Sequence, residues 1–186
     1  NISFSGTSDK LTETVDSMKL ILILAIIITY LLMSALFANF IYPLIILFTL
    51  PLAAAGGFIG LSLTNTFLAY QPLDVLTMLG FVILIGIVVN NAILIVHQSL
   101  NLIRNQNMDT EKAVYESTKS RLRPIFMSSL TSIFGMLPLI LSPGPGSEKK
   151  RGLGSVITGG LAFATVFTLF VIPSLLMFFI DMEKTS

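Results

Sequence analysis

The chain contains no cysteine and a single histidine. Disulfides, thiolate zinc sites and cysteine nucleophiles are thereby excluded, and no multi-histidine metal centre can assemble within it. Charge is scarce too. Only 11% of the 186 residues are Asp, Glu, Lys or Arg, against about 25% in an ordinary soluble domain. With 11 basic and 10 acidic side chains the formal net charge is +1. No basic stripe interleaves with aromatics, so nothing points to a nucleic-acid partner. No nucleophile–base pair is visible, which argues against an enzyme, and no residue pattern asks for a cofactor.

Apolar side chains are abundant instead: 54% of residues are hydrophobic and the mean hydropathy is +0.88. A soluble core of this size cannot absorb that much apolar surface, and disorder is excluded by the same figures. The chain reads as an integral membrane protein whose surroundings are the lipid bilayer. Asn1 to Lys19 is polar, and the apolar run after it is too long for the core of a cleavable signal. Since it begins at Asn rather than Met, the sequence is expected to be a piece of a longer one.

Charged residues punctuate the chain. Asp74 is the only one between Leu20 and Ile103, and Pro124–Ser147 and Gly152–Ile180 contain none. At about 20 residues per membrane helix, five spans are expected, near 20–38, 41–63, 73–100, 122–141 and 153–180. Barrel strands would be half as long and would alternate in polarity. The expected fold is therefore all-α, a polytopic helix bundle. Asp109 is suited to capping a short connecting helix over about 109–120, and Ser142–Ser147 reads as a loop. Gly56-x-x-x-Gly60, Ala53-x-x-x-Gly57, Ser155-x-x-x-Gly159 and Gly160-x-x-x-Ala164 suit close helix packing. Pro51, Pro138 and Pro173 are expected to kink their spans. Counting basic residues on the two sides gives six against five, so charge bias hardly orients the chain.

Polar side chains are costly in lipid, so each needs a packing partner or a task. Asn90 and Asn91 stand adjacent within an apolar run. His97 and Gln98 repeat their positions seven residues on, about 10 Å along a helix. Interhelical hydrogen bonding is the plain reading; His97, near the span end, reads as interfacial rather than as a buried proton carrier. Arg121, Ser128, Ser132 and Gly135 form one stripe on the next span. Their hydroxyls either bond back to the preceding turn or form a polar path facing the asparagines. No carboxylate lies inside any expected span, Asp74 being at a span end, so an ion-driven machine would need its titrating acid elsewhere.

The residues Tyr42-Pro43-Leu44, Leu50-Pro51-Leu52-Ala53, Gly86–Ile93, Arg121–Ile125, Ser128-Ser129-Leu130 and Gly135–Leu139 together resemble the resistance–nodulation–division transporters. Gly152–Gly160 and Pro173 fit as well, in order and with the family's spacings. The resemblance implies the last five of twelve membrane helices, with 1–19 as the tail of a periplasmic domain, 20–181 as the bundle and 182–186 as a cytoplasmic tail. It implies a proton-driven exporter of drugs or other amphiphiles in the bacterial inner membrane. Such a pump is a homotrimer working with a periplasmic adaptor and an outer-membrane channel, and its aspartate pair lies in the N-terminal half. Arg121, Ser128 and Asn91 match the arginine, hydroxyl and asparagine of the proton-relay network. Asn90 departs from the drug exporters, which carry lysine there. His97 and Ser132 are secondary candidates. The eight methionines are scattered, unlike the tracks of metal exporters. The alternatives are a relative with the same membrane fold and another task, such as lipid or hopanoid transport or aid to protein translocation, and a non-transporting scaffold.

Overall fold

A computed structural model describes residues 3–68, 70–71, 73–144 and 146–185, with side chains for 12–68, 70–71, 73–144, 146–147 and 149–182. Six helices follow one another: α1 (Ser3–Phe37), α2 (Ile41–Leu47), α3 (Thr49–Phe67), α4 (Val75–Gln106), α5 (Thr110–Leu141) and α6 (Ser147–Thr185). Because α2 and α3 run on as one segment, five stretches are long and apolar enough to cross a membrane. The expected polar entry and first span are both parts of α1. The expected tail is helical to Thr185, and Ser186 lies outside the described residues.

Local chemistry sets the ends of these helices. The Asp74 carboxylate accepts the backbone N–H of Thr77 at 2.8 Å and its hydroxyl at 2.7 Å, capping α4. At the other end of α4, Asn107 takes a left-handed conformation and Met108 N–H reaches back to Leu102. That closure suits asparagine, which tolerates the conformation better than most residues. The α1–α2 turn is held by Asn39, whose side chain accepts Ile41 N–H at 2.9 Å. Arg151 closes the C-terminus of α5, its Nε donating to the Ile140 carbonyl at 2.8 Å.

The prolines divide, and one expectation is revised. At Pro51 the helix is interrupted just before the proline, at Phe48 between α2 and α3, while the two helices run on as one span. In an unbroken helix the Pro51 ring would clash with the Leu47 carbonyl, and it offers no N–H. Pro138 and Pro173, together with Pro124, sit inside helices that continue through them. Asp109 occupies the N-cap position of α5 but its side chain makes no capping bond, and the connecting helix merges with the fourth span into one 32-residue helix. Its remaining contribution is a negative charge near a helix start.

Helix α6 lies at the centre, packed on α3, α4 and α5. The small-residue motifs make this possible. A Cβ added at Gly60 would lie 2.5 Å from the Ser155 carbonyl oxygen and 2.7 Å from Gly159 Cα, so Gly56-x-x-x-Gly60 meets Ser155-x-x-x-Gly159 backbone to backbone. Leu84, Val156, Ile157 and Leu161 fill one buried cluster, and Ile95, Val96, Ile172 and Leu176 belong to the other. Large apolar side chains elsewhere point outward, with Phe170 and Leu32 among the most exposed. In water this surface would drive aggregation; in a bilayer it faces chemically matched lipid.

Candidate functional site

The α4–α5 interface is polar at one end and open higher up. Ser99 and Ser117, both buried, share a hydrogen bond across it. Counting about 1.5 Å per residue from that contact, Arg121 lies one turn above, Asn91 and Asn90 about two turns above, and Ser128 about three. The two asparagines therefore sit at a level between the guanidinium and the hydroxyl. All four line one open groove of about 610 Å³, together with Gly86 and Pro124.

Their environments differ. Asn91 is buried, Arg121 half-buried, and Asn90 and Ser128 exposed into the groove. Ser128 donates to the Ile125 carbonyl at 3.0 Å, the local back-bond anticipated for such hydroxyls, which leaves its oxygen free to accept a further proton donor. Among the described residues Arg121 has no ion-pair partner, and no carboxylate lines the groove. A partly desolvated, uncompensated cation is costly, and an acidic group placed in the groove would offset that cost. No three potential metal-ligating side chains come together among the described residues.

The structure separates neighbours that share a motif. Ser129 turns inward and shares a 2.7 Å hydrogen bond with Thr165 of α6, buried between helices. Ser129→Ala should therefore cost about 1–3 kcal/mol of stability, because Thr165 is left unsatisfied, and should spare transport; thermal melting and efflux measured together check this. His97 lies outside the groove, exposed, with its ring 6.4 Å from that of Phe37. Ser132 is half-buried and does not line the groove either. Gly86 was not singled out by itself in the sequence, yet it lines the groove one turn from Asn90, and a Cβ added there would meet nothing within 4 Å. The i, i+4 spacing to Asn90 was the available signal.

The profile of the AcrB/AcrD/AcrF family matches residues 1–180. The multidrug resistance protein MdtC of Citrobacter koseri is 38% identical over 177 residues, covering 95% of this chain and 17% of the relative. MdtC of Escherichia coli K12 gives the same identity and coverage. A crystal structure of a heavy metal efflux pump superposes with a TM-score of 0.77 at 30% identity, covering 94% of this chain and 16% of that one. The chain thus spans about one sixth of the length of the proteins it matches.

Proposed function

Because the chain belongs to the AcrB/AcrD/AcrF family of resistance–nodulation–division efflux transporters, we propose that it forms the C-terminal membrane segment of a proton-driven exporter of drugs or other amphiphiles. The observation that carries this reading is the groove: a guanidinium, two amides and a hydroxyl converge on one open site that holds a cation and no acid. The complementary acid would come from the N-terminal half, whose aspartate pair would dock against Asn90, Arg121 and Ser128. Protonation of that acid would then decide whether it holds Arg121, and the change would drive the helices between two arrangements.

The drug or amphiphile class rests on the multidrug relatives, which are more similar in sequence than the metal pump. The working assembly would be a homotrimer in the inner membrane, joined to a periplasmic adaptor and an outer-membrane channel. Two experiments in vesicles with an imposed pH gradient test the reading. The complete transporter should export an amphiphilic dye and the 186-residue chain alone should not. Asn90→Lys in the complete transporter adds a cation beside the acid, lowering its pKa by about 1–3 units. The acid holds its proton below its pKa and loses it above, so the pH profile of efflux should shift towards acid. An unchanged profile in an active variant would show that Asn90 does not face the acid, and gradient-independent export would overturn proton coupling.

A further inference from the structure

Helix α5 has a second polar face that the transport groove does not use. Lys119 and Arg123 each stand two residues from Arg121, about 200° around the helix, and so point away from the groove. Both are exposed. One turn before Lys119 is Tyr115, 63% exposed, with the Lys119 ammonium 5.7 Å from its ring centroid. Beyond Arg123 the same face turns abruptly apolar: Phe126 is 42% exposed, Leu130 48% and Phe134 63%. These residues recur at three- and four-residue intervals, forming one continuous stripe along the helix.

The neighbours of α5 are α4 and α6, and neither covers this stripe. Among the described residues, Lys112, Lys119 and Arg123 make no ion pair. Glu111 and Glu116 are the acids on the charged part of the stripe, so Lys112, Lys119 and Arg123 leave an excess of one positive charge there, and none of the acids stands between Lys119 and Arg123 and the apolar track. The stripe therefore joins three features in sequence: an aromatic ring of the kind that sits at headgroup level, two unpaired cations one turn apart, and an apolar track long enough for acyl chains.

We propose that this stripe binds an anionic phospholipid of the leaflet at the α4–α5 loop end. Its phosphate would sit between Lys119 and Arg123, with its acyl chains along Phe126, Leu130 and Phe134. Charge complementarity selects the headgroup: a zwitterionic lipid brings its own cation to the phosphate and gains less from the pair. The long stems of Lys119 and Arg123 let both heads reach the phosphate plane while their methylenes stay on the apolar surface.

The chain contains no tryptophan, so Phe126→Trp introduces a fluorescent reporter on the stripe. The complete transporter carrying it, with tryptophans elsewhere replaced by phenylalanine, is placed in vesicles of equal parts phosphatidylcholine and phosphatidylglycerol. Bromine is carried on the acyl chains of one lipid or of the other. Quenching by brominated phosphatidylglycerol should be stronger by roughly fivefold, the preference expected for even one effective cation near a surface. Lys119→Gln with Arg123→Gln should equalise the two lipids, and a Phe170→Trp reporter on α6 should show no preference. Size-exclusion elution at the unaltered position confirms that the variants fold. Equal quenching with the cations intact, or a preference that survives both Gln substitutions, would overturn the proposal. So would an emitter that neither lipid quenches, since a protein surface would then cover the stripe.

Discussion

Arg121→Ala in the complete transporter should abolish proton-coupled efflux while leaving the amount of folded protein in the membrane nearly unchanged. Within this chain Arg121 has no ion-pair partner among the described residues, so truncation removes no attraction that holds the bundle together. Its expected partner is the acid of the other half. Removing one member of a desolvated charge pair costs about 2–5 kcal/mol, a loss of roughly 30-fold or more in transport rate. Arg121→Lys should recover only part of it, because an ammonium is a compact point charge without the planar fork of donors. Ser128→Ala should cost less, about 0.5–1.5 kcal/mol for one neutral hydrogen bond, since its present bond is to its own helix. Dye efflux and membrane expression, measured on the same cells, separate coupling from packing. If Arg121→Ala depletes folded protein as far as it depletes efflux, Arg121 is a structural residue and the groove loses its role.

Gly159→Ala should be the most damaging single methyl group in the fold. The added Cβ would lie 2.8 Å from both the Gly56 carbonyl oxygen and the Gly60 nitrogen, and would press on Gly60 Cα. All three are backbone atoms of α3, and none can rotate away as a side chain could. Relief requires α3 and α6 to separate, which strips contacts along the most extensive helix pair in the bundle. Overpacking typically costs about 1–3 kcal/mol, and a backbone-to-backbone clash belongs at or above the top of that range. Gly135→Ala is the matched control: it lies inside a helix, and a Cβ there meets nothing within 4 Å. That substitution should be neutral or stabilising by about 0.5–1 kcal/mol through helix propensity. Thermal unfolding of both variants in detergent gives the comparison, and equal melting temperatures would refute the proposed crossing.

Length and hydropathy alone determined the five spans, because a bilayer requires a run of apolar residues that leaves little freedom in how the chain is divided. Spacing on a helix is likewise a local property, so the pairing of Arg121 with Ser128 on one stripe, and the small-residue motifs, could be read before any fold was known. Which partner each surface meets is a different matter. Adjacent residues on a helix diverge by about 100°, and only the packing of α4, α5 and α6 decided that Ser128 faces the groove while Ser129 bonds to Thr165. The same packing buried Asn91, exposed Asn90, and left His97 beside Phe37. Proline chemistry is common to Pro51, Pro124, Pro138 and Pro173, yet the helix breaks before the first and passes through the others. Whether a missing backbone bond ends a helix depends on the neighbours that hold the two halves in line, and those neighbours are assembled only in the tertiary structure.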